Sequence, residues 1–419
     1  MKLSFFILSK RSRKKREGDY NLKTKKILIL GAGAAGTIVA NKLARDLRRE
    51  IARDEVEITI LDKSDMNINQ AGFTFVPFGF YTPDDIRRPR RKLISPRVKA
   101  IFGEDGEVAR VDLENREVTV KSGKKYFYDY LLIATGCTQD VESVPGLSKD
   151  FNTFYTSLED TLRLKESLQT LSKGKIVVLT IKMPIPCPGA PAKFTVLLDD
   201  YLRYVKRARE NFDITFLWPI PTVGPPPYNS NITKAFEERK INDVREFKFS
   251  EIDAEKKEVV SADGERIKYD FLVTIPPHKG IKALYDSGIT DENGWVPADK
   301  YTLQYKKSET EKHDEVYVAG DAGPLEILKT GVTAHYQAFT VAQNLIYDVL
   351  GTGDKVHYLG NVGCPYVGST LTPDSRGKAF LAVWSYGLKP RPFVPTEAGW
   401  YFYRMYYYIY WDLTVKAII

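Results

Sequence analysis

The stretch KKILILGAGAAGTIVANKLARDL constrains this chain more than any other. Its apolar run at 26–30 reads as a buried strand, Gly31, Gly33 and Gly36 follow at G-x-G-x-x-G spacing, and a helical pattern runs from Thr37 onward. Gly31 permits a tight turn, Gly33 lets the backbone approach a pyrophosphate, and Gly36 allows the helix to pack closely on the strand, with its N-terminus facing the anion. The segment Gly31, Ala32, Gly33, Ala34, Ala35, Gly36 is thereby a candidate dinucleotide site. A second strand, EVEITILDKS, ends in Asp62 and Lys63, where a carboxylate can bind ribose hydroxyls.

Two later strand ends decide which dinucleotide is expected. YDYLLIATG at 128–136 closes on Ala134, Thr135 and Gly136, and DEVYVAGDAG at 314–323 carries Gly320 and Asp321. The pair resembles the signatures of two-dinucleotide-domain flavoproteins, in which an aspartate after the late glycine contacts the ribityl and phosphate part of FAD. The expected fold is α/β, with two Rossmann-like domains of glutathione-reductase-like architecture and a C-terminal membrane-associating segment. The FAD domain takes residues 25–158 and 298–352, a second Rossmann-like domain is inserted at 159–297, and 353–419 form a C-terminal region.

The inserted domain lacks the glycine-rich turn that a nicotinamide donor needs. GKIVVLTIKMPIPCPGAPAKF gives a strand at 175–180 and a helix from about 191, yet between them Gly189 is the one glycine available to a phosphate. Pro184, Pro186 and Pro188 stiffen this turn and remove backbone donors. A reductant without an adenine handle is expected instead, and Cys187 is a natural point for its electrons to arrive. Of the chain's three cysteines, the partner candidate is Cys364 in NVGCPYVG. Both are flanked by proline and glycine, as expected of exposed loop thiols.

These residues together resemble the sulfide:quinone oxidoreductases over about 25–419. The matching pieces are GAGAAG, FTFVPFG at 73–79, ATG at 134–136, CPGAP at 187–191, PPHKG at 276–280, AGDAG with LKTG, and NVGCPYVG. The resemblance implies FAD as cofactor, with Pro77 and Val108 added to the cofactor contacts. It also implies a redox pair of Cys187 and Cys364 on one flavin face, Lys329 near the ring and a membrane quinone on the other face. The thiolate facing the flavin is assigned to Cys364. Cys137, just after ATG, reads equally as a bystander or as a helper in persulfide transfer. His278 and His335 are candidate proton carriers, though lone histidines are more often structural.

The C-terminal window EAGWYFYRMYYYIYWDLTVKAII carries aromatics all round a helix, interrupted by Arg404, Asp412 and Lys416. It is expected to lie in a membrane interface rather than span it or pack as core. The localisation that follows is peripheral, on the cell membrane, with the side open. The net charge of +8 comes largely from KRSRKKR in the 1–24 tail and RRPRRK at 87–92, read as solvated faces with an anionic membrane as the alternative. No nucleic-acid motif and no metal cluster accompanies them, and a homo-oligomer is compatible with the chain. Three rivals stand beside the sulfide-oxidising reading: a type II NADH:quinone oxidoreductase, the flavin subunit of a flavocytochrome-type sulfide dehydrogenase, and a flavin-binding interaction protein without turnover.

Overall fold

The computed structural model describes residues 23–149, 151–324, 326–369 and 377–418. The basic run KRSRKKR lies outside them. In chain order the elements that matter for the site are β1 (Lys25–Leu30), α1 (Ala34–Asp46), β2 (Val56–Asp62), β3 (Lys99–Phe102), β4 (Tyr130–Ile133), β5 (Gly174–Thr180), α2 (Ala190–Asp200) and β6 (Phe212–Leu217). They continue with α3 (Pro226–Glu238), β7 (Asn242–Val244), β8 (Phe271–Ile275), β9 (Gln304–Lys306), β10 (Lys312–Val318), α4 (Gly331–Leu350), β11 (Val362–Ser369), β12 (Lys378–Trp384) and α5 (Glu397–Ile409).

Two parallel sheets organise the molecule. The first has the order β9-β10-β4-β1-β2-β3, parallel except for β9. Its central strand is apolar on both faces because both are covered: Ile27 and Ile29 pack with α1 and α4, while Leu28 and Leu30 enter a separate cluster with Leu131 and Val316. The order reverses between β4 and β1, and the carboxyl ends of such strands are where a sheet of this kind forms its ligand crevice. The second sheet, β7-β6-β5-β8, is parallel throughout and lies within the stretch expected to be inserted. A short antiparallel pairing of Thr138 with Lys279 and Gln139 with His278 ties the two crossing points of the chain together.

The C-terminal region is a hairpin, β11 with β12, on which α5 packs. Gly399 makes that packing possible, since a Cβ there would stand 2.0 Å from the Ala379 carbonyl oxygen. One side of α5 is core. Trp400 and Tyr407 are buried, Phe75 meets Trp400, Tyr403 and Tyr407, and the Tyr407 hydroxyl donates to the Ala71 carbonyl at 2.7 Å. Beyond the helix, Trp411 donates to the Asp85 carbonyl at 3.1 Å and Asn41 to the Val415 carbonyl at 2.7 Å. The opposite side stays open: Tyr401, Phe402 and Tyr408 are 65%, 68% and 61% exposed. The expectation that this helix is not core is therefore corrected, because one face of α5 is packed as core while the other is exposed. No helix among the described residues is long and apolar enough to cross a membrane.

The basic run at 87–92 is also corrected. Arg87 pairs with Asp84 and Arg91 lies over Phe102, but Arg90 turns inward to Asp62 and is buried.

Deleting the chain from Trp400 onward should abolish folding, because losing several buried aromatics at about 3–5 kcal/mol each exceeds a typical stability of about 5–15 kcal/mol. Phe402→Ser on the open face should leave the thermal melt within a few degrees of the parent. Differential scanning calorimetry of both chains checks the contrast.

Candidate functional site

The glycine turn is built as its spacing requires. Gly31 has φ +95° and lies so close to β4 that a Cβ would fall 2.4 Å from the Ala134 oxygen, and one on Gly36 would fall 1.9 Å from the Gly31 oxygen. At Gly33 an added Cβ meets nothing within 4 Å, which leaves an open cradle at the start of α1. Ala34 and Ala35 form the first turn of that helix. Asp62 accepts the Ala32 N–H at 2.7 Å and the Ser64 N–H at 2.9 Å, and Arg90 lies 3.3 Å from the same carboxylate.

Arg90 Nε and Nη1 and the Thr135 hydroxyl are buried with no protein partner. Buried donors are costly to leave unpaired, so this crevice is shaped for a ligand rich in acceptors, as a dinucleotide is. Gly136 and Gly320 both adopt positive φ, and the Gly320 N–H is held by the Gln337 side chain at 2.7 Å. Burial pushes the Asp321 carboxyl up, with Lys329 opposing. Of the other expected contacts, Pro77 is buried in a short 3₁₀ turn, Val108 is half-buried at the start of a strand, and Lys63 is exposed.

Cys187 sits in the proline loop just before α2. Its φ of +47° is unusual for a side-chain-bearing residue, and hydrogen bonds hold it there. Its N–H donates to the Lys329 carbonyl at 2.5 Å, and its own carbonyl accepts from the Tyr155 hydroxyl at 3.0 Å and the Ala190 N–H at 2.7 Å. Cys364 comes from β11, paired with Ala382 of β12, and is 1% exposed. The expectation of an exposed loop thiol is wrong for this residue, since its flanking glycine and proline are absorbed into a strand. Its thiol shares a hydrogen bond with that of Cys187, and its sulfur lies 3.4 Å from the Tyr228 hydroxyl. Tyr228 in turn donates to the Pro365 carbonyl at 3.0 Å. Gly189 admits this meeting: a Cβ there would stand 2.3 Å from the Tyr228 hydroxyl and 2.7 Å from the Cys364 sulfur. The loop glycine thus makes room for the second cysteine. Both cysteines are free thiols in the structure.

The two sulfurs are electrostatically unequal. The hydrogen bond from Cys364 draws the Cys187 thiol down to about 6; burial opposes this and the Lys193 ammonium, 3.5 Å from the sulfur, adds to it. Cys364 is pushed well up, first by that same bond and then by burial. The Lys193 ammonium beside it favours Cys187 as the sulfur that carries the negative charge of the reduced pair. Lys193 escaped the sequence reading, although one signal was present: it is the lone charge in CPGAPAKFTVLL, an otherwise apolar run. Tyr155, Tyr228 and Tyr403 had no such signal.

Lys329 is buried, lies 4.1 Å from the Trp295 ring centre, and donates to the carbonyls of Asp321 and Gly323. Burial lowers its hold on the proton. Cys137 sits after β4, and burial pushes its thiol up, with Asp321 adding to the effect. His278 is held neutral by burial, down to about 4, with Nδ1 2.9 Å from the Pro276 carbonyl and its ring edge-on to Tyr155. His335 packs on Phe339 instead.

Fold and site are similar to those of disulphide oxidoreductases of the two-dinucleotide-domain class. The family model for pyridine nucleotide-disulphide oxidoreductases matches residues 25–179. Within that class the chain is similar almost from end to end to sulfide:quinone oxidoreductases. The mitochondrial sulfide:quinone oxidoreductase of Dictyostelium discoideum is 28% identical over 414 residues, covering 94% of this chain and 86% of that protein. The X-ray structure of the sulfide:quinone oxidoreductase from Aquifex aeolicus superposes with TM-score 0.76 at 18% identity, covering 94% and 92% of the two chains. A type II NADH:quinone oxidoreductase of Staphylococcus haemolyticus is 27% identical but covers 35% of this chain and 34% of that one.

Gly189→Ala should force the Tyr228 hydroxyl and the Cys364 sulfur away from the loop, slowing oxidation of the dithiol to a bridge at least tenfold. Free-thiol titration against time after adding an oxidant measures this, and the melting temperature reports any loss of folding.

Proposed function

We propose that this protein is an FAD-dependent sulfide:quinone oxidoreductase that oxidises hydrosulfide to zero-valent sulfur, released as polysulfide, and passes two electrons to a membrane quinone. The observation that carries the reading is the Cys187 and Cys364 pair, with the Cys187 backbone bonded to Lys329 beside the late flavin-domain turn. Residues 25–158 and 298–352 form the cofactor domain in this reading. Residues 159–297 supply Cys187, and 353–419 supply Cys364 and the membrane-facing helix.

Gly31, Gly33, Gly36, Asp62, Thr135, Gly320 and Asp321 would hold the FAD, which when bound supplies a two-electron acceptor for sulfur and a donor to quinone. The protein's part begins with an oxidised bridge. Disulfide exchange favours the leaving sulfur of lower pKa, so hydrosulfide attacks the Cys364 sulfur, the S–S bond breaks, and its electron pair leaves on Cys187. Cys364 then carries S–SH. The Cys187 thiolate next bonds the terminal persulfide sulfur and gives a three-sulfur bridge, releasing one proton to solvent and an electron pair that a bound FAD would accept. Further hydrosulfide lengthens the chain until polysulfide leaves. Each turn consumes one hydrosulfide, one quinone and one proton, and yields one zero-valent sulfur and one quinol. Lys329, whose ammonium is buried at the late turn, stabilises negative charge developing there.

The open face of α5 gives access to a lipid-dissolved acceptor. Tyr401, Phe402 and Tyr408, with Leu381 and Val383 of β12 and Val394, form an apolar surface suited to the headgroup boundary. This is peripheral association with a cell membrane.

Cys187→Ser and Cys364→Ser should each lower sulfide-dependent quinone reduction at least a thousandfold while leaving the flavin absorbance intact. Stopped-flow flavin bleaching tests this, and rapid bleaching by NADH would overturn the reading in favour of an NADH oxidoreductase. Phe402→Ser with Tyr408→Ser should cut co-sedimentation with lipid vesicles severalfold and reduce turnover with long-tailed quinones. Bleaching by sulfide in solution should be unchanged in that variant.

A further inference from the structure

We propose that Lys193 is a further catalytic residue, a fixed ammonium that keeps the Cys187 sulfur anionic, and that Tyr403 on the C-terminal helix positions it. The inference deepens the function proposed above and rests on that reading for its place in turnover.

Lys193 lies in the second turn of α2 and is 4% exposed. Its Nζ reaches the Cys187 sulfur at 3.5 Å and the Tyr403 hydroxyl at 3.5 Å, and lies 5.7 Å from the Tyr403 ring centre. Among the described residues it has no carboxylate partner. Two other buried charges do have countercharges: Arg90 has Asp62, and Asp199 has Arg203, Arg209 and Arg239. A buried ammonium without an anion is strongly disfavoured, so its placement beside a thiol identifies the anion. Burial alone would loosen the lysine's proton, yet its affinity is raised, because the Cys187 sulfur and then the Cys364 sulfur outweigh burial.

The groups facing this ion pair come from every element around it. They are Cys364 on β11, Tyr228 on α3, Tyr403 and Tyr407 on α5, Tyr155 ahead of the second sheet, and Asp321 at the late flavin-domain turn. Asp321 is the one carboxylate in the set, and it opposes the thiolate. The tyrosines are held neutral by burial, so Lys193 is the one cation among them acting on Cys187.

In each cycle the sulfur that leaves the bridge is the one beside this charge. The electron pair therefore departs toward Cys187 and the incoming sulfur is directed to Cys364. Tyr403 couples that function to the anchor helix: α5 presents Phe402 and Tyr408 outward and the Tyr403 hydroxyl inward to the lysine.

The test is the pH dependence of iodoacetamide alkylation at Cys187 in the dithiol form of the flavin-loaded protein, read by peptide mass spectrometry. The parent should show an inflection near 6. Lys193→Met should move it up by at least 1.5 units, and Tyr403→Phe should move it in the same direction by less. An inflection in the parent at the ordinary thiol value of about 8.5 would overturn the proposal without any variant. So would an unmoved inflection in folded Lys193→Met protein, or in Lys193→Gln should the first variant not fold. Alkylation requires no sulfide turnover, so a low inflection in a protein that fails to oxidise sulfide would sink the enzymatic reading and leave the ion pair standing.

Discussion

The chemistry of this protein depends on the loop that carries Cys187. Three hydrogen bonds clamp a backbone in the left-handed region, and they reach to Lys329 of the first domain, to Tyr155 ahead of the second, and to the start of α2. A residue with a side chain pays strain in that conformation, and the surrounding bonds hold it there. The result is a thiol whose position is referred to both domains at once. Movement of either domain would shift the sulfur relative to the crevice where a dinucleotide fits.

The second cysteine reaches this loop through a steric vacancy. Cys364 and Tyr228 fill the space that a side chain at Gly189 would occupy. In a nicotinamide-binding domain a glycine in this turn would admit a pyrophosphate to the backbone. The same property of glycine here admits a sulfur, and the prolines that deny the phosphate its donors stiffen the loop around it. The polarity of the pair follows from what stands on each side. Cys187 has an ammonium and a donating thiol, whereas Cys364 has a tyrosine already engaged with the Pro365 carbonyl. Identical side chains thereby stand in different electrostatic surroundings.

The two faces of the C-terminal helix meet different surroundings. Its inner aromatics complete a core shared with the segment around Phe75, and its outer ones remain uncovered. A helix apolar on all sides is usually buried altogether or embedded in lipid. Here the division is made by the hairpin and the segment around Phe75, which cover one face.

Much of this was legible in the linear order of residues, for a physical reason. The glycine turn, Asp62, the strand ends at Gly136 and Gly320, and the proline loop before α2 are local devices in which spacing along the chain is spacing in space. Three things were not legible. Arg90 looked like one of a solvated run, because nothing local shows that it turns in to Asp62. Cys364 looked like a loop thiol, because its burial comes from β12, α3 and the Gly189 loop. The polarity of the cysteine pair had no local signal, because it is set by Lys193 and Cys364 converging on Cys187 from separate elements. The sequence alone determined the α/β class and the two domains, since these rest on backbone geometry and short-range periodicity. The meeting of the thiols, their unequal acidity and the division of α5 into two faces were decided by the tertiary structure, because each depends on groups that only folding brings within bonding distance.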